Sequence, residues 1–487
     1  MTGICNGNNN MNIVEIIQQE SKKYLNNVAI REAVSSYTYE QLFENIKDIA
    51  QKLKNEDIKK YSRVALLCPE GANYIILVLA ILSLDAVAVP IHLNSSKKEI
   101  ERVIDEMKIE YFVSEETLFG LDEETVSFSI SDKKSSFVIQ HLNGKLIEQN
   151  EFEYLNPAFI RFSSGTTGKS KGVVISHESI LERTDAANQV LKITNQDVIL
   201  WVLSMSYHFV VTILLFLRRG ATLVLCEQSI TKGFDTGLNL QEITFIYAAP
   251  IHYQAMVRSV NMNPNICSHV RMAVSTAVSL NEQIAKEFRE KFGFEVSVAY
   301  GIIELGLPFI NHSGNSELRL SVGKILPGYE ICIEDKDVND IGSVYLKGPG
   351  MFDAYFCPWQ TRDQALKEGW FKTGDLGRID GKGFLYLYGR LDQVINFMGM
   401  KIFAEEVKQV LESFPDIQEA FVYGEPHDSF GQIPKARIVL QSTKLQLDID
   451  GLRSYCYEFL ASYKVPKDFE CVDSLIKTMN DKIMIEQ

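Results

Sequence analysis

The run Phe162-Ser-Ser-Gly-Thr-Thr-Gly-Lys-Ser-Lys-Gly172 constrains this chain more than any other. Glycines let backbone N–H groups turn inward, hydroxyls donate hydrogen bonds, and lysines balance negative charge, so the composition suits a loop that wraps phosphate. A Walker-type phosphate loop would end on Gly168-Lys169-Ser170, but it also needs glycine at 163 and a helix directly afterwards. Position 163 is serine, and Gly172-Val-Val-Ile-Ser176 has the pattern of a strand. A kinase or ATPase of the Walker type is therefore disfavoured.

Around this loop, strand-like and helical patterns alternate, which implies parallel sheets flanked by helices. Tyr39 to Leu53 has helical spacing of apolar positions, and Arg63 to Cys68 reads as a strand. The stretch from Ala72 to Pro90 is almost wholly apolar, but Asp85 interrupts it short of the roughly 20 residues a bilayer span needs. A buried helix over 71–84 and a strand over 86–89 are expected instead, with no membrane span. Residues 122–156 are polar and irregular, the pattern of a surface excursion. A second α/β stretch follows, with strands at 222–226, 243–247 and 295–299, a segment at 271–275 and a helix at 280–292. Short β-like pieces between about 320 and 388, among them 343–347 and 384–388, alternate with glycine turns and suit a small β-barrel or β-rich subdomain. After Gly389-Arg390 the pattern changes to helices at 403–413 and 450–461 and strands at 417–424 and 436–441, a compact α+β module. The expected organisation is a loose tail over 1–11, a large α/β part over 12–388, a junction at 389–392 and a small domain over 393–487.

Charge and cysteines narrow the classes further. With 49 Lys+Arg against 63 Asp+Glu the formal charge is −14, which argues against a global positive field for gripping nucleic acid. Eight scattered cysteines without metal spacing read as reduced thiols of a cytoplasmic protein, and the first twelve residues lack a signal-peptide pattern.

The phosphate loop resembles the [ST]SG[ST]TGxPKG loop of the adenylate-forming superfamily, which includes acyl- and aryl-CoA synthetases, adenylation domains and luciferases. Four further motifs occur in the order of that family. Tyr300-Gly-Ile-Ile-Glu304 resembles YGxTE, Phe371-Lys-Thr-Gly-Asp-Leu376 resembles TGDL, Gly389-Arg-Leu-Asp-Gln-Val-Ile-Asn-Phe-Met-Gly399 resembles GRxDxxIKxxG, and Leu475-Ile-Lys-Thr-Met-Asn-Asp-Lys482 loosely matches LPKTPSGK. The resemblance implies a large N-terminal part of two α/β subdomains and a small β-barrel, followed by a small mobile α+β domain hinged at Asp392.

It also implies roles. Ser163, Ser164, Gly165, Thr166, Thr167, Gly168 and Lys171 would hold the β,γ-phosphates of ATP, and Glu304 with Thr166 would hold Mg²⁺, a hard cation suited to carboxylate beside phosphate. Asp375 would accept hydrogen bonds from the ribose, Arg390 would contact ribose or phosphate, Tyr300 and Gly301 would meet adenine, and the Thr276-Ala277 backbone would line the base. Lys482 would be the catalytic lysine that offsets repulsion between carboxylate and α-phosphate, with Glu304 the other catalytic residue. The expected acceptor is the phosphopantetheine thiol of CoA or of a carrier protein.

The acid pocket would lie near Tyr207, His208 and Ile302. Amino-acid-activating relatives carry an Asp where this chain offers Tyr207, His208 or Phe209, so an apolar acid, fatty or aryl, is expected. Val210, Val211, Leu305 and Leu307 would add apolar surface, core packing being the alternative for each. Ile303, Asn396, Met479 and Asp481 depart from the motifs, which keeps open a degenerate, non-catalytic nucleotide-binding member of the same fold.

Overall fold

The computed structural model describes every residue except 1–10, 116–124, 131–135, 143, 145–148, 164–170, 227–236, 260–261, 278–279, 399, 428–429, 442–446 and 476–487. The expected tail thus lies almost wholly outside the described residues. Asn12 already caps the helix Ile13–Ser21, its side chain accepting from the Val14 N–H.

Two large sheets dominate, one of thirteen strands and one of nine. In the first, Val28–Arg31, Thr222–Leu225, Val198–Trp201, Phe245–Ala248, Met272–Ser275 and Val296–Ile302 run parallel. In the second, Arg63–Leu67, Val87–Pro90, Tyr111–Glu115 and Pro157–Ser163 form the parallel part. One core cluster takes Val64, Leu66 and Val173 from the nine-stranded sheet and Ile30, Ile199 and Leu223 from the other, so the sheets share an interior.

The helices in that interior follow from their sequences. In Tyr39–Asn55, Thr38 and Gln41 form a capping box, and Leu42, Ile46, Ile49 and Leu53 present one buried stripe. Ala72–Ser83 is buried over nearly its whole length, which explains a run apolar on every side. Among the described residues no helix is long and apolar enough to cross a membrane.

One expectation is corrected. Within 122–156 the strands Thr125–Ser129 and Ser136–His141 pair antiparallel and extend the nine-stranded sheet at its edge, and Gln149–Tyr154 is helical. Serine and threonine in these edge strands hid a two-residue alternation that the Phe128–Phe137 ring contact, 5.8 Å between centroids, makes plain.

The β-rich stretch comprises Ser321–Ile325, Glu330–Glu334, Gly342–Lys347, Phe371–Ile379 and Leu385–Arg390, hydrogen-bonded onto the thirteen-stranded sheet through Ser321–Ile325. Among the described residues this ladder ends at Glu330–Glu334. Beyond Arg390 a five-stranded sheet with helices Ala404–Glu412 and Ile449–Phe459 encloses a core of its own, including Ile402, Val407, Leu411, Ile438 and Leu452. Phe403 packs into a small cluster with Ile341 and Leu376, and its ring lies 5.6 Å from that of Tyr388.

Candidate active site

Ligands of open parallel sheets gather outside the carboxyl ends of the strands. Those ends here are Trp201, Ala248, Ser275, Ile302 and Ser163, and the motif residues follow directly after them or on them.

At one end of the cleft the antiparallel ladder sets Asp375 opposite Arg390. Asp375 is 8% exposed; its Oδ1 accepts from Arg390 Nη1 at 3.2 Å, and its Oδ2 accepts a short hydrogen bond from the Tyr300 hydroxyl. Arg390 Nη1 also donates to the Thr373 carbonyl at 2.9 Å, while the Asp375 N–H donates to Thr373 Oγ1 at 3.0 Å. Gly374 between them has φ +79°, and a Cβ there would stand 2.8 Å from Arg390 Nη2. The motif thus needs glycine for both conformation and space. Burial first, then the neighbouring carboxylate, pushes the Tyr300 hydroxyl well above its usual pKa, so it stays a donor.

Gly301 sits at a bulge where the pairing with Gly306–Asn311 shifts register, and a Cβ would meet the Gly306 carbonyl at 2.5 Å. The Thr276 N–H donates to the Ala248 carbonyl at 3.0 Å, and Ala277 takes φ +78°, a left-handed conformation that costs an alanine about 1–2 kcal/mol. Strain of this kind concentrates at ligand sites.

Glu304 is half-buried and accepts from the Tyr355 hydroxyl at 3.1 Å. Burial raises its pKa, opposed by the Tyr355 hydrogen bond and by the charges of Arg390 and Lys171. Lys171 begins the strand Lys171–Ser176, its Nζ 4.4 Å from the centre of the Tyr355 ring. Ser163 ends the preceding strand, paired with Lys171 through the backbone. A strand, not a helix, therefore leaves the phosphate loop. Ser164, Gly165, Thr166, Thr167 and Gly168 lie outside the described residues, as do Lys482 and its neighbour Lys477. Asp392 falls in the 3₁₀ turn Leu391–Gln393, directly after the strand that carries Arg390.

Tyr207 and His208 close a short helix, Met205–His208, that passes through a π-turn, Phe209–Ile213, into Leu214–Arg218. Such widened turns recur at functional sites. Tyr207 stacks on His92, centroids 5.3 Å apart, and burial pushes its hydroxyl up to about 12. Burial, then the charges of Arg161 and His252, pushes His208 down to about 3, so its imidazole is neutral at pH 7. Ile302 and Val211 are partly buried, whereas Val210, Leu305 and Leu307 belong to the core. For those three the packing alternative holds.

Two residues near this end gave no signal in the sequence. Tyr355 comes from a distant strand to reach Glu304. Glu70 accepts from the Ser204 hydroxyl and the Met205 N–H, each at 2.8 Å, and so anchors the helix that carries Tyr207. Burial pushes the Glu70 carboxyl up to about 7.

Comparison with known proteins agrees with this geometry. A family model described as AMP-binding enzyme matches residues 17–356, and one described as AMP-binding enzyme C-terminal domain matches 406–482. The 2-succinylbenzoate–CoA ligase of Bacillus subtilis (strain 168) is 29% identical over 474 residues, covering 92% of this chain and 92% of the relative. The long-chain-fatty-acid–CoA ligase of Yersinia pestis is 23% identical, covering 97% and 93%. Among solved structures, the o-succinylbenzoate CoA synthetase of Bacillus subtilis in complex with the acyl-adenylate OSB-AMP superposes with TM-score 0.81 at 25% identity, covering 96% of each chain. ATP-bound MatB from Rhodopseudomonas palustris superposes with TM-score 0.80 at 21% identity, covering 97% of each. With the family model spanning well over half its length and the motif residues gathered at one cleft, this chain belongs to the AMP-binding enzymes.

Proposed function

We propose that this protein is an AMP-forming acid–thiol ligase: it joins a fatty or aryl carboxylic acid to AMP, releasing pyrophosphate, and passes the acyl group to the phosphopantetheine thiol of CoA or of a carrier protein. The observation that carries the reading is the Tyr300–Asp375–Arg390 arrangement beside Glu304. A buried carboxylate held in place by a phenol and a guanidinium keeps acceptor capacity for ribose hydroxyls. Arg390 adds positive charge where phosphate oxygens would lie, and the Thr276-Ala277 backbone offers an edge for the base.

The loop 163–168 and Lys171 would take the β,γ-phosphates. Glu304 is a single half-buried carboxylate, and among the described residues no cluster of three or more metal-ligating side chains exists, so the site fits Mg²⁺ only as a shared ligand with Thr166 and phosphate oxygens. There the ion would neutralise charge on the phosphates. Tyr207, His208 and Ile302 would border the acid, and no carboxylate of that group could pair an α-ammonium. Lys482 would place its charge on the reacting carboxylate.

Two half-reactions in one cleft require the small domain to move. We assign the boundaries 12–388 and 393–487 to the two parts and the pivot to Asp392, supported by the separate core beyond Arg390 and the small Phe403 contact. Asp392→Pro should spare adenylation and slow thioester formation; equal loss of both would remove the pivot from 392. The scattered cysteines, seven of them free among the described residues, support a cytoplasmic location.

Pyrophosphate exchange into ATP over a panel of acids tests the whole reading. Acid-dependent exchange with AMP as product is expected. Release of ADP would overturn it, and binding of ATP without exchange for any acid would favour a non-catalytic member, for which Ile303 in place of a hydroxyl residue is the specific observation.

A further inference from the structure

Four arginines of this chain are buried, and three of them are satisfied by the protein. Arg63 pairs with Glu110, Arg183 donates to the Gly350 and Ile303 carbonyls, and Arg218 pairs with Glu20 and Asp185. Arg161 differs: it is 6% exposed, and among the described residues no carboxylate, carbonyl or hydroxyl is hydrogen-bonded to its guanidinium. Burying a cation without an anion is costly, so such a group marks a place where the anion arrives from elsewhere.

Its surroundings show which anion. Residues two apart on a strand share a face, so Arg161 follows Phe159 along the inner face of Pro157–Ser163. The Phe159 ring lies 6.1 Å from that of Phe209, which lies 6.0 Å from Tyr74. Tyr74 is 1% exposed, and its hydroxyl has no hydrogen-bond partner among the described residues. The charge of Arg161 is felt by Tyr74, Tyr207 and His208, the residues of the acid end. Glu304, at the phosphate end, responds instead to Arg390 and Lys171. Burial lowers Arg161 only to about 10, which leaves it protonated at neutral pH.

We propose that Arg161, with the hydroxyls of Tyr74 and Tyr207, forms an anion subsite that receives a carboxylate of the acid substrate. The inference rests on the ligase reading above and adds a charged anchor to a pocket otherwise lined by aromatic and aliphatic groups. A guanidinium presents a fork of donors matched to the two oxygens of a carboxylate, and a phenol supplies a further donor from the side. The carboxylate is either the one that reacts or a second one at the far end of a dicarboxylic acid.

The full-length protein separates these cases. Arg161→Met, Arg161→Lys and Tyr74→Phe are compared with the parent by pyrophosphate exchange, using octanoate against octanedioate and benzoate against benzene-1,4-dicarboxylate. Arg161→Met should raise KM for the acid at least about tenfold, leave KM for ATP within about twofold, and be partly rescued in Arg161→Lys. Its melting temperature should hold or rise, because an unpaired buried charge is replaced by a thioether of similar reach. Loss confined to the diacids assigns the remote carboxylate, and equal loss for the monoacids assigns the reacting one. An unchanged KM for every acid, a rise confined to ATP, or a clear fall in melting temperature would each overturn the subsite. Calorimetric titration of the same four acids into parent and Arg161→Met reads the subsite directly, so absence of exchange would sink the ligase reading without deciding this one.

Discussion

The two ends of the cleft are built from the same kinds of group and satisfied in opposite ways. At the nucleotide end, Asp375, Arg390, Tyr300 and Thr373 form a closed set of hydrogen bonds before any ligand arrives. At the acid end, Arg161 and the Tyr74 hydroxyl are buried with no hydrogen-bond partner among the described residues. A closed set fixes geometry in advance and spares reorganisation when ligand binds. An open set stores desolvation cost that the matching ligand relieves, which makes it selective. The difference suits a protein that meets one invariant nucleotide and must choose among many acids.

The strongest way to break this contrast is Lys482→Ala. If Lys482 bridges the two ends only while carboxylate attacks phosphate, its loss should slow adenylation by roughly 10²–10³, or about 2.7–4 kcal/mol. Thioester formation from synthetic acyl-AMP should be nearly untouched. Comparable failure in both assays would make Lys482 structural or shift the role to Lys477.

Asp375→Ala should strike next, because it opens the closed set. It strands the Tyr300 hydroxyl and part of the Arg390 fork, costing about 1–3 kcal/mol of stability and weakening ATP binding, while KM for the acid stays near the parent value. Equal weakening of acid and ATP, read by steady-state kinetics, would show that the ends are not independent. Gly374→Ala probes the same set more gently: the left-handed backbone and the approach to Arg390 predict about 1–2 kcal/mol of destabilisation in thermal melts.

The smallest effect is expected from pH at the acid end. Burial raises the Glu70 carboxyl from the usual 4.5 to about 7, against the Met205 and Ser204 hydrogen bonds that pull it down. An acid raised by folding binds its proton more tightly in the native state. Its contribution is full below about pH 4.5 and is lost as pH rises through about 7. With solvent screening the span is on the order of 1–2 kcal/mol. Glu70→Gln should therefore flatten the melting profile between those pH values, and an unchanged slope would remove Glu70 from the account.

What the sequence made legible follows the same division. Ser163, Tyr300, Glu304, Asp375 and Arg390 sit in motifs whose spacing ties them to local turns and ladder positions, and the nucleotide end could be drawn from them. Strands and helices were legible wherever apolar periodicity was strong, as in Tyr39–Asn55 and Lys171–Ser176. The edge strands near Phe128 and Phe137 were not, because polar residues on an outer strand dilute the alternation. The acid end was scarcely legible. Glu70, Tyr74, Arg161 and Tyr207 come from three separate stretches of chain, and no local pattern records that Pro157–Ser163 would bring a charge against a tyrosine from Ala72–Ser83. Arg161 left one trace, a cation at an inward position of an apolar strand.

Arg390 holds two positions at once. It is hydrogen-bonded to the carboxylate offered to the ribose, and it is the last residue of the strand from which the small domain departs. A force on the domain is therefore delivered to the nucleotide pocket within one residue of its root, and a ligand that tightens Asp375 stiffens that root in return. The chain has no slack between anchor and arm: filling or emptying the ribose position changes the torque needed to turn everything that follows residue 390.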